Sequence, residues 1–305
     1  MSGLRPAVMG AVLVALYTLM ISAADGITKH ISGSFAAPQL FCLSAGIVLA
    51  LAYGVSRTPF GLPGGADGVT GAGRLTTRCP RAMAVRSLLT VLACVGFFQA
   101  FRLLPFADVF LFIGLMPVIA ALLSGPVLDE PIRPQAWAAL GLGTLGVICL
   151  MPGGLSGLQP GHFWALLAAL TGTGSMVASR YIGRVETNAL AQVFYPNLAI
   201  LVVMGVALPF VWQPMALADL GWIAAYATFL FFARWVVVVA LRLLPAYVAT
   251  PLMNLQFVWM VAIGFVAFGE VPGSGTMIGV ALVIASGLWL IADELVPRRR
   301  ESLAV

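Results

Sequence analysis

Charge is scarce in this chain. Of its 305 residues 9% are Asp, Glu, Lys or Arg and 61% are hydrophobic, with a mean hydropathy of +1.03; soluble domains carry roughly a quarter charged residues. A soluble globular fold is excluded on that ground. Histidine is represented only by His30 and His162, and no close cluster of carboxylates falls inside an apolar run, which leaves an intramembrane enzyme little to work with. No glycine-rich loop for nucleotide phosphates is present, so direct drive by ATP is not expected. The four cysteines, Cys42, Cys79, Cys94 and Cys149, have no paired spacing, and three lie in apolar runs where Cys behaves as a small hydrophobe. Neither a disulfide framework nor a metal site follows, and no cofactor is expected. Long polar segments are also few, which argues against a receptor or assembly subunit that does not transport.

What the chain has in abundance is long apolar runs. They occupy roughly residues 6–28, 35–56, 82–101, 106–127, 135–151, 160–180, 189–211, 220–241, 246–268 and 275–292, most of them about the 20 residues that cross the ~30 Å hydrocarbon layer as a helix. They are continuous rather than alternating, so helices and not barrel strands are expected. The first run is too long, and too poor in a small-residue cleavage site, to read as a signal peptide. One long polar link, Arg57 to Arg81, is rich in Gly and Pro and reads as a loop.

The stretch Ala100–Glu130 occurs a second time as Ala240–Glu270. Arg102-Leu103-Leu104-Pro105 matches Arg242-Leu243-Leu244-Pro245, and Glu130-Pro131 is echoed by Glu270-Val271-Pro272, at a constant shift of 140 with eight identities over 31 positions. Pro6–Arg57 lies over Pro160–Val211 at a shift of 154. The chain therefore divides into two five-run repeats, 1–152 and 153–305, the second ending in a short basic tail.

Positive residues fix the orientation, because Lys and Arg of short loops stay on the cytoplasmic side. With the N-terminus inside, 13 of the 16 cationic residues, Arg86 among them, fall on the inner side, Lys29 and Arg102 fall outside, and Arg234 lies within a span. Five helices per repeat, an odd number, invert the second copy against the first. The expected fold is an all-α membrane protein of ten transmembrane helices in two inverted five-helix repeats, in the inner membrane with both termini cytoplasmic. In that plan a solute site lies near the midplane between halves that rock alternately.

The segment Leu115-Met116-Pro117 through Asp129-Glu130-Pro131, followed by Gly141, Gly143 and Gly146, resembles the EamA repeat of the drug/metabolite transporter superfamily, as does Leu252 through Glu270-Val271-Pro272 with Gly279 and Gly287. The resemblance implies a ten-helix carrier of small organic solutes. Asp25-Gly26-Ile27-Thr28-Lys29 followed by Gln39 is similar to a subgroup that includes riboflavin and S-adenosylmethionine transporters, although those relatives carry an Arg soon after the Gln, where this chain has Cys42-Leu43-Ser44. It implies uptake of a flavin or nucleoside-like metabolite; export of amino acids or related metabolites is the alternative.

Several residues stand out against the apolar background. Asp25 and Lys29, at i and i+4, are spaced to pair, and Asp25 is a candidate for coupling transport to a proton or cation. Lys29, released when solute takes its place, and Asp108, which opens the fourth run, are the further coupling candidates, although an acid at Asp108 also complements the helix dipole. Arg234 sits deep in the eighth run; it either snorkels toward water or faces the cavity to meet an anionic group. Phe98, Gln99, Tyr195, Tyr226, Asn254, Gln256 and Trp259 are the expected cavity wall, since an unpaired amide in hydrocarbon is costly and each must face protein or water; interhelix hydrogen bonds account for them equally well. Glu130 and Glu270, each with a Pro close behind, read as turn residues. The partners implied are the bilayer, a small-molecule solute and a proton or cation, and no nucleic acid.

Overall fold

The computed structural model describes residues 4–57, 75–128, 159–186, 188–243, 252–253 and 255–271. Within them the chain forms α1 (Leu4–Ser32), α2 (Ala37–Arg57), α3 (Pro80–Leu103), α4 (Phe106–Leu128), α5 (Pro160–Val185), α6 (Ala189–Val211), α7 (Leu217–Leu243) and α8 (Leu255–Phe268). No strand occurs among the described residues. Five helical spans, Val8–Ser32, Ala37–Arg57, Pro80–Leu103, Leu190–Val211 and Leu217–Arg234, are long and apolar enough to cross a membrane. The fifth and tenth apolar runs, Glu130 and Asn254 lie outside the described residues.

Local chemistry sets the helix ends. Pro80 and Pro160 occupy first helical positions, where the missing N–H costs nothing. Asn188 caps α6, accepting from Ala191 N at 3.2 Å while its Nδ2 donates to Thr76 O at 2.9 Å. Gly269 follows α8 with φ of 66°, the left-handed conformation that suits glycine, and the reversal lets Glu270 N reach Gly264 O at 3.0 Å.

The helices pack with a recurring pattern. α1 lies along α7 and α3 along α5, these being the most extensive contacts; α2 packs on α6; α8 packs on α1 as α4 packs on α5; α2 touches α7 as α3 touches α6. Exchanging α1 with α5, α2 with α6, α3 with α7 and α4 with α8 carries this set of contacts into itself. Close approach depends on small residues: a Cβ on Gly96 would stand 2.9 Å from Ala168 Cβ and 3.1 Å from its Cα, so only glycine lets α3 and α5 meet there. The largest buried cluster joins Ile27 and Ile31 of α1, Leu40 and Phe41 of α2, Phe98 of α3 and Tyr226 of α7. Outward positions are apolar too, with Val206 and Phe210 of α6 largely exposed, as lipid-facing residues must be.

Candidate functional site

A column of polar side chains runs along α1. Thr18, Ser22, Asp25 and Lys29 fall at i, i+4, i+7 and i+11, one face of the helix over about 16 Å of rise. That face meets α8. Trp259 Nε1 donates to Thr18 Oγ1 at 3.1 Å, Ser22 Oγ donates to Gln256 O at 3.2 Å, and Gln256 Nε2 donates to Asp25 Oδ2 at 2.9 Å. The two helices come close because Gly26 has no side chain: a Cβ there would lie 3.1 Å from Ile263.

Lys29 ends the column with a partner the i, i+4 spacing did not give. Its Nζ donates to Glu270 Oε1 at 2.5 Å and to Leu104 O at 3.3 Å, with the Phe106 and Phe268 rings at 5.6 and 5.4 Å. The Glu270 oxygens also accept from Phe106 N, at 3.3 and 3.1 Å, so a carboxylate from beyond α8 caps the start of α4. The expected Asp25–Lys29 pair is thereby corrected. The long Lys29 side chain reaches beyond its own helix to a carboxylate and a carbonyl that both need a donor, and Asp25 keeps a neutral amide. Glu270 is correspondingly more than a turn residue. Asp108, in the first turn of α4, is half-buried and close enough to Lys29, Glu270 and His162 for their charges to act on it.

A second polar group lies deeper. Arg234 of α7 is half-buried, and its Nη1 is buried with no hydrogen-bond partner among the described residues. Its charge acts on Tyr17 of α1, on Arg86 and Cys94 of α3, and on Tyr226 of its own helix. Arg86, counted from the sequence on the inner side, lies near the start of α3; its Nη1 donates to Gln192 O of α6, while its Nε is buried without a partner among the described residues.

The other expected wall residues divide. Tyr226, Gln256 and Trp259 belong to these polar groups. Phe98 is 2% exposed and packs edge-on against Phe41 at 5.8 Å, which makes it core. Tyr195 packs with Met83, Ile182 and Ala191 between α3, α5 and α6. Gln99 is half-buried on α3. Gln39 is fully buried and donates from Nε2 to Gln213 O at 2.8 Å, tying α2 to the link after α6. Thr18, Ser22 and Arg86 were not singled out from the sequence. The helical periodicity of Thr18, Ser22, Asp25 and Lys29 is the signal that marks the first two.

The EamA-like transporter family matches the chain over residues 1–151 and 159–292. The chain belongs to that family. It is accordingly a multi-pass membrane protein and a transporter of small molecules, and the EamA-like family is one of transporters rather than enzymes. A crystal structure described only as that of a protein superposes with a TM-score of 0.64 over 93% of this chain and 96% of its own, at 19% identity, a likeness of fold alone. No curated protein matches the chain. Among the described residues, the α1–α8 column and the buried nitrogens of Arg86 and Arg234 are polar groups inside an otherwise apolar bundle.

Proposed function

We propose that the chain is a secondary transporter that moves a small organic metabolite by alternating access. In this reading it spans the inner membrane ten times as two inverted five-helix halves, with both termini cytoplasmic. Membership of the family supports it, and so does the correspondence of the most extensive helix contacts on exchange of α1–α4 with α5–α8, although the smaller α1–α3 contact has no counterpart. The observation that carries the reading is Asp25: an acidic side chain on an otherwise apolar helix, seven residues before its end, whose hydrogen-bond partner is the neutral Gln256. A seam that only joined α1 to α8 needs no charge, and a charge in hydrocarbon is expensive enough to mark a working group.

Asp25 is then the coupling carboxylate, taking up and releasing a proton or cation as the solute moves. Lys29 and Asp108 act with Glu270 as the closure of one end of the path. Arg234, Tyr226, Gln256 and Trp259 contact the solute. Uptake of a flavin or nucleoside-like metabolite such as riboflavin or S-adenosylmethionine is the substrate reading favoured by the Asp25–Lys29 segment, and export of amino acids is the alternative. Purified protein in proteoliposomes tests the proposal: labelled solute moves into loaded vesicles by exchange, and uphill when an ion gradient is imposed. Vesicles that stay no leakier than protein-free ones toward any of these solute classes refute it.

A further inference from the structure

The groups around the Lys29 ammonium are those that hold an ammonium of any origin. Glu270 Oε1 and Leu104 O accept from Nζ at 2.5 and 3.3 Å, and the Phe106 and Phe268 rings stand 5.6 and 5.4 Å from it, within reach of a cation–π contact. All four come from outside α1: Leu104 follows α3, Phe106 opens α4, and Phe268 and Glu270 lie at and beyond the end of α8. They are also joined to one another without Lys29. Both Glu270 oxygens accept from Phe106 N, Glu270 N donates to Gly264 O at 3.0 Å, and the Phe106 ring packs on Phe268 at 6.1 Å and on Phe101 at 5.3 Å. Gly264 leaves room for the carboxylate, since a Cβ there would stand 3.0 Å from Glu270 Oε2. The lysine enters this cage on a flexible stem and can leave it without the movement of a helix.

The repeat keeps the carboxylate and not the cage. At the shift of 140 Glu270 corresponds to Glu130, whereas Phe106 and Phe268 correspond to Ala246 and Leu128; at the shift of 154 Lys29 corresponds to Gly183. A carboxylate at this point of the chain belongs to the repeated plan, and the rings and the cation are additions to one copy. Lys29 and Glu270 are 14% and 27% exposed, so solution reaches the carboxylate as well as the lysine. We infer that Glu270, Phe106, Phe268 and the Leu104 carbonyl form a seat for the ammonium group of the transported solute, which Lys29 fills while the solute is absent. A displaced Lys29 has Asp25 one turn back on the same face of α1 to turn to. As a tethered occupant it competes at high effective concentration, so a solute must add contacts of its own to displace it. The assignment rests on the transporter reading and narrows its substrates: amino acids and S-adenosylmethionine carry a primary ammonium, and riboflavin carries none.

Lys29→Ala empties the seat and leaves its walls. The full-length variant in dodecyl maltoside, which brings no amine, is titrated with ethylammonium chloride against sodium chloride of equal ionic strength, and its melting temperature is followed. Ethylammonium raises it saturably where sodium does not, because a ligand that binds only the folded state stabilises it. The wild type, whose own lysine competes, needs at least about tenfold more. Adding Phe268→Leu, the residue type of the other repeat, weakens the apparent affinity at least about threefold, and adding Glu270→Gln abolishes the response. Should Lys29→Ala fail to fold, Lys29→Met keeps the apolar stem and opens only the ammonium position, and ammonium chloride is then the probe. A variant that ethylammonium stabilises no better than sodium does, or equally well without Glu270, overturns the seat. So does a rise with added phosphatidylethanolamine to which ethylammonium adds nothing, since the occupant is then a lipid headgroup. In wild-type proteoliposomes an amino acid or S-adenosylmethionine exchanges and ethylammonium inhibits the exchange. Flux confined to solutes without an amine sinks the seat and leaves the transporter standing; ethylammonium binding without flux of any solute does the reverse.

Discussion

Lys29 Nζ and Glu270 Oε1 meet at 2.5 Å across 241 residues of sequence. The contact joins α1 to the segment after α8, and through Phe106 N it reaches the start of α4. The side chains are 14% and 27% exposed, so water screens the pair only in part. Glu270→Gln leaves a half-buried ammonium without its counter-charge, at a cost of about 1–3 kcal/mol. The melting temperature falls by several degrees. If the pair is the closure of the path, a Lys29→Cys/Glu270→Cys protein bridged by a short bis-methanethiosulfonate, which forms a mixed disulfide with each thiol and releases methanesulfinate, stops exchanging solute and resumes on reduction. Undiminished exchange in the bridged protein means that this end of the bundle stays closed throughout the cycle.

Much of this fold was legible as sequence. The apolar runs mark the described helices, but they understate them: the third run, roughly 82–101, is a helix from Pro80 to Leu103, and the first continues to Ser32. Hydropathy measures the part immersed in lipid, whereas helical hydrogen bonding continues through polar ends such as Lys29 and Arg102. The partner of Lys29 was not legible, because spacing along one helix offers Asp25 and says nothing of a carboxylate from the far end of the chain. Glu270 was visible as a repeated mark, and the Pro272 close behind it made a turn the sufficient reading. Arg86 was hidden for a different reason. It lies within six residues of the polar loop, and a count of positive residues cannot tell a side chain turned into the bundle from one in solvent.

Glycine spacing gives a prediction of stability alone. Gly96→Ala drives a methyl group against the Ala168 backbone, 3.1 Å away, which cannot yield as a flexible side chain does. It should destabilise by about 1–3 kcal/mol. Gly125→Ala, on α4, meets nothing within 4 Å among the described residues and should be neutral or gain up to about 1 kcal/mol from helix propensity. Melting of the two variants side by side checks the α3–α5 contact; equal behaviour would contradict it.

The proposed orientation, with both termini cytoplasmic, rests on 13 cations assigned to the inner side against two to the outer. In a cysteine-free background, Arg102→Cys should label with an impermeant maleimide in intact cells, and Arg57→Cys only after lysis. Both positions are exposed, so accessibility does not limit the reaction. The opposite pattern would reverse the chain in the membrane, and with it the side on which Lys29 and Glu270 close.

Asp25→Asn separates charge from structure. Asn offers the same carbonyl oxygen to Gln256 Nε2, which now reaches Asp25 Oδ2 at 2.9 Å, so the α1–α8 seam persists. Ser22 and Thr18 continue to hold Gln256 and Trp259, and the melting temperature should change little. Had Asp25 been paired with Lys29, the same change would have stranded a cation; with Lys29 on Glu270, it removes only a negative charge. A carrier without its coupling carboxylate still equilibrates solute between its two faces but has no group whose protonation or ion binding alternates with solute. Uphill accumulation in proteoliposomes should therefore fall at least tenfold while exchange of solute across the membrane continues near the wild-type rate. Accumulation that survives in Asp25→Asn moves the coupling step to Asp108, half-buried beside the Lys29–Glu270 pair, and Asp108→Asn then carries the same test.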